Sequence, residues 1–158
     1  MNNDIDQIVN WFRVESHQQM QELDADELSR SKVSQLLYYV QGICVVVYGI
    51  QAFSDKLVAG DHGVMIPAVE ARYAGQTSIV GDVSGADQAD HDYLDGIQQF
   101  RAILDCVWLT FGDLSALQLM ERIQCDQPWA ETLPGHVITL AALDDFFKDK
   151  VSARIGTE

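Results

Sequence analysis

The sequence predicts a mainly α-helical fold: one compact domain of about six helices packed around a central apolar helix at about 28–48, with a short β-ribbon around 52–66. Three observations lead to it. No Asp, Glu, Lys or Arg occurs from Val33 to Ser54, although 22% of the chain is charged. Apolar residues before and after that gap recur in steps of three and four, the helical period. Gly, Pro and Asp cluster between these runs and separate them. At 158 residues a single domain, 1–158, is expected, and about two-thirds of the unfolded surface can be buried at this size.

Ile5, Ile8, Val9 and Phe12 set out the apolar face of a first helix over 4–21, with Trp11 near the edge of that face. Asp4 and Asp6 suit the positive end of its dipole. Asp24 followed by Glu27 resembles a capping box that opens the next helix. Leu36 to Tyr48 is then apolar on every side, so periodicity cannot separate helix from strand there. Length decides for helix, because an unbroken strand of about 20 residues would be unusual. Gly49 is placed to end it in the left-handed conformation. The stretch is a poor membrane span: Ser34, Gln35, Gln41 and Gln51 interrupt it, and no Lys/Arg cluster flanks it.

Apolar pairs broken by Gly and Asp across 50–66 suggest the β-ribbon. Pro67 opens a short helix that ends near Gly75. Residues 75–92 read as a surface loop with little structure of its own. Between Tyr73 and Phe100 that region carries Asp82, Asp87, Asp90, Asp92 and Asp95 and no base. Leu94, Ile97, Phe100, Leu104, Trp108 and Phe111 mark one helix over 92–111, closed by Gly112. Another starts near Asp113 or Ser115 and runs through Leu117, Met120 and Ile123 to a loop at Cys125–Trp129. Thr139 caps a last helix with Leu140, Leu143, Phe146 and Phe147 on its apolar face, and Lys148, Lys150 and Arg154 near its negative end.

The formal charge of −14 argues against direct nucleic-acid binding, which needs clustered Lys and Arg. It suits a basic protein partner. No phosphate-cradling motif and no nucleophile elbow occurs. His17, His62, His91 and His136 are far apart, and Asp87-x-x-Asp90-His91-Asp92 lacks the order and closing Glu of a calcium loop. Neither a metal nor any other cofactor is expected. Cys44, Cys106 and Cys125 form no C-x-x-C pair and read as free thiols of a reducing cytoplasm. Cys44 lies in an apolar run, and Cys125 adjoins a carboxylate, whereas reactive thiols need an electropositive setting. Asp24, Asp26, Glu27, Asp144 and Asp145 read as helix-end and helix-surface charges. The first residues show no basic-then-apolar pattern, so no secretory signal is expected. No catalytic residue is predicted. Trp129 after Pro128 reads as a plug beneath its loop, with an interface anchor as the other possibility.

Taken together, these segments resemble the SocA-like Panacea antitoxin domain, a phage-associated family, over nearly the whole chain. Lys32-Val33-Ser34-Gln35-Leu36-Leu37-Tyr38-Tyr39-Val40-Gln41-Gly42 is similar to that family's most distinctive motif. Ile8 to Phe12, Tyr48-Gly49, Phe53 and Asp55 match adjoining segments, and Gly63 to Val69, with Pro67, resembles another. Leu114-Ser115-Ala116, Leu119, Asp126-Gln127-Pro128-Trp129, Ile138-Thr139 and Phe146-Phe147 complete the likeness. Gln35, Ile43, Gly60, Val64 and Ile123-Gln124 depart from the usual residues. The resemblance implies a non-enzymatic cytoplasmic protein that binds a toxin, encoded nearby, and neutralises it directly or by delivery to a protease. It gives Leu36, Leu37, Tyr38, Tyr39, Gln41, Gly42, Gly63, Pro67, Pro128 and Trp129 structural roles. Asp82, Asp87, Asp90, Asp92, Asp95 and Trp129 are the expected partner-binding residues. The alternative is a phage-borne inhibitor of a host defence or nucleic-acid-binding protein that uses the acidic run as its surface.

Overall fold

The uncharged stretch forms helix α2 (Arg30–Tyr48), the element that most others touch in the computed structural model, which describes residues 3–155 and the side chains of residues 3–150. Every residue from Val33 to Gly42 is buried, so this half of the helix is enclosed on all sides. Its two glutamines explain how a polar side chain fits there. Gln41 donates to the Phe53 carbonyl and accepts from the Ala52 amide, at 2.9 and 2.7 Å. Gln35 donates to the Val64 carbonyl and accepts from the Val64 amide, both at 2.9 Å. Each amide therefore satisfies backbone groups of a segment that has no helix to pair with. The second half differs from the sequence expectation: Ile43, Val45 and Val46 are half-buried and Val47 is exposed. Gly49 ends the helix at φ 70°, and its amide donates to the Val45 carbonyl.

The other elements are α1 (Ile5–Leu23), β1 (Leu57–Ala59), β2 (Val64–Met65), α3 (Pro67–Arg72), α4 (Gly85–Asp95), α5 (Gln98–Phe111), α6 (Ala116–Gln124), α7 (Gln127–Ala130), β3 (Val137–Ile138) and α8 (Leu140–Ile155). α8, α5 and α6 pack on α2, while α4 packs on α1. The ribbon at 52–66 exists as β1 and β2, but β3 joins it to make an antiparallel sheet of order β2-β1-β3. One continuous apolar core runs through α1, α2, the sheet, α5, α6 and α8. Among the described residues no single helix is long and apolar enough to cross a membrane; α5 and α6 reach that length only together, and they turn by 100° between them.

Several expectations are corrected. Asp24 does not open α2; it closes α1 in the left-handed region at φ 53°, and Ser29 is the N-cap of α2. Glu27 accepts from the Val80 and Gly81 amides instead. Trp11 is not at an edge but fully buried. The 92–111 helix is two helices, because Ile97 is extended (φ −96°, ψ 95°) after Gly96. Within the loop at 125–129 lies the single turn α7, started by Asp126 with Pro128 in its first turn. Leu117 is exposed, and α6 turns Leu119 and Ile123 inward.

The largest correction concerns 75–92. Residues 77–79 run along 28–30, bridged at Ser29 and Ser78, and residues 85–95 are helix α4. A capping box starts α4: the Ser84 hydroxyl accepts from the Asp87 amide and the Asp87 carboxylate from the Ser84 amide. The usual Glu or Gln of such a box is an Asp here, and the helix buries few apolar side chains. Polar contacts hold it to α1 instead. Met1 and Asn2, and with them part of the reading that no secretory signal is present, lie outside the described residues, as does the side chain of Arg154.

Candidate functional site

α2, α5, α6, the start of α7 and α8 leave an open groove of about 730 Å³. Its floor is aromatic. The rings of Tyr39 and Phe111 stack with centroids 3.9 Å apart and 15° between planes. Phe147 meets Tyr39 edge-on at 6.2 Å, and Phe146 meets Phe147 edge-on at 5.3 Å. Ile43 and Leu114 extend the floor, and Gln118, Glu121, Arg122, Asp126 and Lys150 form a polar rim. Local sequence accounts for each placement. Tyr39 and Ile43 are one turn apart on α2, where the helix leaves the enclosed core. Phe111 is the last residue of α5, held there by Gly112, and the ammonium of Lys32 caps that helix end by donating to the Gly112 carbonyl at 2.6 Å. Phe146 and Lys150 are one turn apart on α8, and the Lys150 ammonium lies 5.3 Å from the Phe146 ring centroid.

Asp126 stands at the edge of this floor. The Tyr38 hydroxyl donates to one of its oxygens at 3.0 Å. Burial raises the Asp126 carboxyl above its ordinary value, and the Tyr38 hydrogen bond and the charges of Lys150 and Arg122 only partly offset this. Burial, then the Asp126 charge, pushes the phenols of Tyr38 and Tyr39 well up. Both therefore act as neutral groups, Tyr38 as a hydrogen-bond donor. Cys106 and Cys125 lie on the groove wall. Cys44 is inside the core, and burial pushes its thiol up to about 11.

The acids expected to meet a partner are divided by the fold. Asp87 is buried and pairs with Arg13 at 2.9 Å. Arg13 also donates to the Ile79 and Val80 carbonyls and to Asn10. Asp90 accepts from Asn10 at 2.8 Å, and Asp95 accepts from the Trp11 indole at 2.8 Å. Only Asp82 and Asp92 of the five are exposed. His91 lies between the helices: its ring stacks on Trp11 at 5.3 Å, and its Nε2 is 3.0 Å from Glu15. Among the described residues no three His, Cys, Asp or Glu side chains are arranged to hold a metal ion.

Trp129 is half-buried, and its indole donates to the carbonyls of Gly60 and Gly63, tying α7 to the β1–β2 turn. Gly63 has no room for a side chain because Gln35 Oε1 would lie 2.7 Å from a Cβ there. Leu36, Leu37, Tyr38 and Gln41 are core residues; Pro67 starts α3 and Pro128 is buried in α7. The groove itself was not foreseen as a site. The sequence shows only two separate aromatic pairs, Tyr38-Tyr39 and Phe146-Phe147, which tertiary contact brings together. Comparison of the chain with protein-family models, with curated proteins and with solved structures finds no match.

Proposed function

We propose that this chain is a cytoplasmic, non-enzymatic antitoxin that binds a toxin protein and neutralises it, directly or by delivering it for proteolysis. One observation carries the reading. Four segments on which the Panacea resemblance rests, separated in sequence, each contribute a side chain to the same open groove: Tyr39, Leu114, Asp126, and the pair Phe146-Phe147. An aromatic floor with a polar rim of both signs has the anatomy of a protein-binding surface, an apolar centre bounded by charges. The charge of −14 favours a basic partner by steering the encounter.

The test is co-expression with the toxin candidate encoded beside it. Growth should be rescued by the wild type and lost with Phe146→Glu, whose side chain is half-buried at the groove. A melting curve close to wild type would show that the variant is folded. No toxicity in any neighbouring gene, or no rescue by the wild type, would count against the reading; full rescue by the variant would place the toxin-binding surface outside the groove. The alternative, an inhibitor acting through its acidic run, loses most of its surface, since Asp87, Asp90 and Asp95 are engaged with α1.

A further inference from the structure

We infer that the groove between α2, α5, α6 and α8 receives a basic–apolar segment of a protein partner: a lysine or arginine side chain, flanked by apolar residues, whose charge meets Asp126 while its stem lies on the rings of Phe111 and Phe146. This names the surface and the segment within the protein-binding role proposed above, and rests on that role only in taking the ligand to be a protein.

Three features point to such a cation, and a fourth to a short segment as its carrier. The half-buried rings of Phe111 and Phe146 line the groove, Phe111 backed by the stacked ring of Tyr39, and the negative faces of such rings attract ammonium and guanidinium groups. Asp126 is half-buried, oriented by the Tyr38 hydroxyl, and among the described residues forms no ion pair within 4 Å. A carboxylate held partly out of water gains more from an arriving cation than an exposed one does. The fold already places a cation here: Lys150 lays its ammonium over Phe146, close enough for its charge to act on Asp126. Lys150 is exposed on a flexible stem, so a partner's cation can displace it. Finally, the volume of about 730 Å³ admits a few side chains rather than a folded surface. Flanking apolar residues of the partner have Ile43 and Leu114 to cover. Glu121 and Arg122 put one charge of each sign on the same rim.

Nuclear magnetic resonance titration tests the inference. The probe is an amidated hexapeptide of alternating leucine and arginine, with its citrulline counterpart, equal in shape and uncharged, as control. Shifts should concentrate at Tyr39, Ile43, Phe111, Asp126 and Phe146. Asp126→Asn keeps an acceptor for Tyr38, and it should weaken the arginine peptide about tenfold, or about 1.4 kcal/mol, without changing the citrulline peptide. Asp92→Asn, an exposed acid outside the groove, should change neither. Absence of binding, equal affinity in Asp126→Asn, or shifts centred on α4 would overturn the inference. The two proposals part on the rescue assay. Toxin rescue that survives Asp126→Asn and Phe146→Glu removes the groove but keeps the antitoxin; peptide binding without any toxin neutralised does the reverse.

Discussion

Gly42 lies so close to the ring of Phe147 that a methyl group in its place would overlap the ring. A glycine in the middle of a helix costs about 1 kcal/mol relative to alanine, so its presence in α2 reflects the approach of α8. Gly42→Ala should lower stability by about 1–3 kcal/mol despite the better helix former. Phe147→Leu in the same chain should restore part of the loss. Urea unfolding of the single and double variants measures the coupling, and additive losses would show that the two positions are independent.

Leu37 is wholly buried in the enclosed half of α2. Leu37→Ala should cost about 2–5 kcal/mol. The exposed Leu109 on α5 provides the contrast: Leu109→Ala should shift the unfolding midpoint by an amount worth under about 0.5 kcal/mol.

The pair Arg13–Asp87 fixes α4 on α1 and links stability to pH. Burial alone would raise the Asp87 carboxyl, but the Ser84 amide and the Arg13 guanidinium outweigh it and hold the carboxyl below its ordinary value. A carboxyl depressed in the folded state contributes stability that is present above its unfolded value, about 3.9, and is lost as pH falls through the folded one. Unfolding measured downward from neutral pH should therefore show a loss below about pH 4 that is smaller in Asp87→Asn. At neutral pH that variant should be less stable by about 3 kcal/mol, as expected for one partner of a buried ion pair.

Asp126 has the opposite sign. Its carboxyl is raised by burial in the folded state, so its ionisation works against folding. Asp126→Asn, which still accepts from Tyr38, should be at least as stable as the wild type at neutral pH. The difference should vanish as pH falls below the unfolded carboxyl value of about 3.9. Thermal melts at both ends of that range decide it; a variant less stable at neutral pH and equal in acid would contradict the sign.

Asp95 accepts from the Trp11 indole beneath it, whereas Asp82 is exposed. Asp95→Ala should leave a buried indole donor unpaired, at about 1–3 kcal/mol, and alter Trp11 fluorescence. Asp82→Ala should change neither. This contrast separates acids that build the fold from those free to meet a partner.

Much of the architecture was readable from local pattern. The charge gap located α2, the three-and-four spacing located α1, α5 and α8, and Pro67, Ser115, Thr139 and Gly49 mark helix ends by chemistry that acts within a few residues. α4 was missed because its capping Asp87 is shorter than the usual Glu and its docking face is polar: Asp87, Asp90, His91 and Asp95 face partners on α1 roughly 80 residues away in sequence. Asp24 and Glu27 carried the spacing of a cap, yet the backbone they serve lies at the end of α1 and at 80–81.

By itself, then, the sequence determined the helical class, the central helix and most helix ends, because these depend on periodicity and on hydrogen bonds between near neighbours. Only the tertiary structure decided which charges are spent and which surface is open. Arg13 meeting Asp87, Gln35 serving Val64, β3 joining the ribbon, and Tyr39, Phe111, Phe146 and Asp126 closing on one groove all join residues far apart in the chain. Such pairings are set by how helices pack around α2, a balance of buried apolar area and satisfied polar groups summed over the whole molecule.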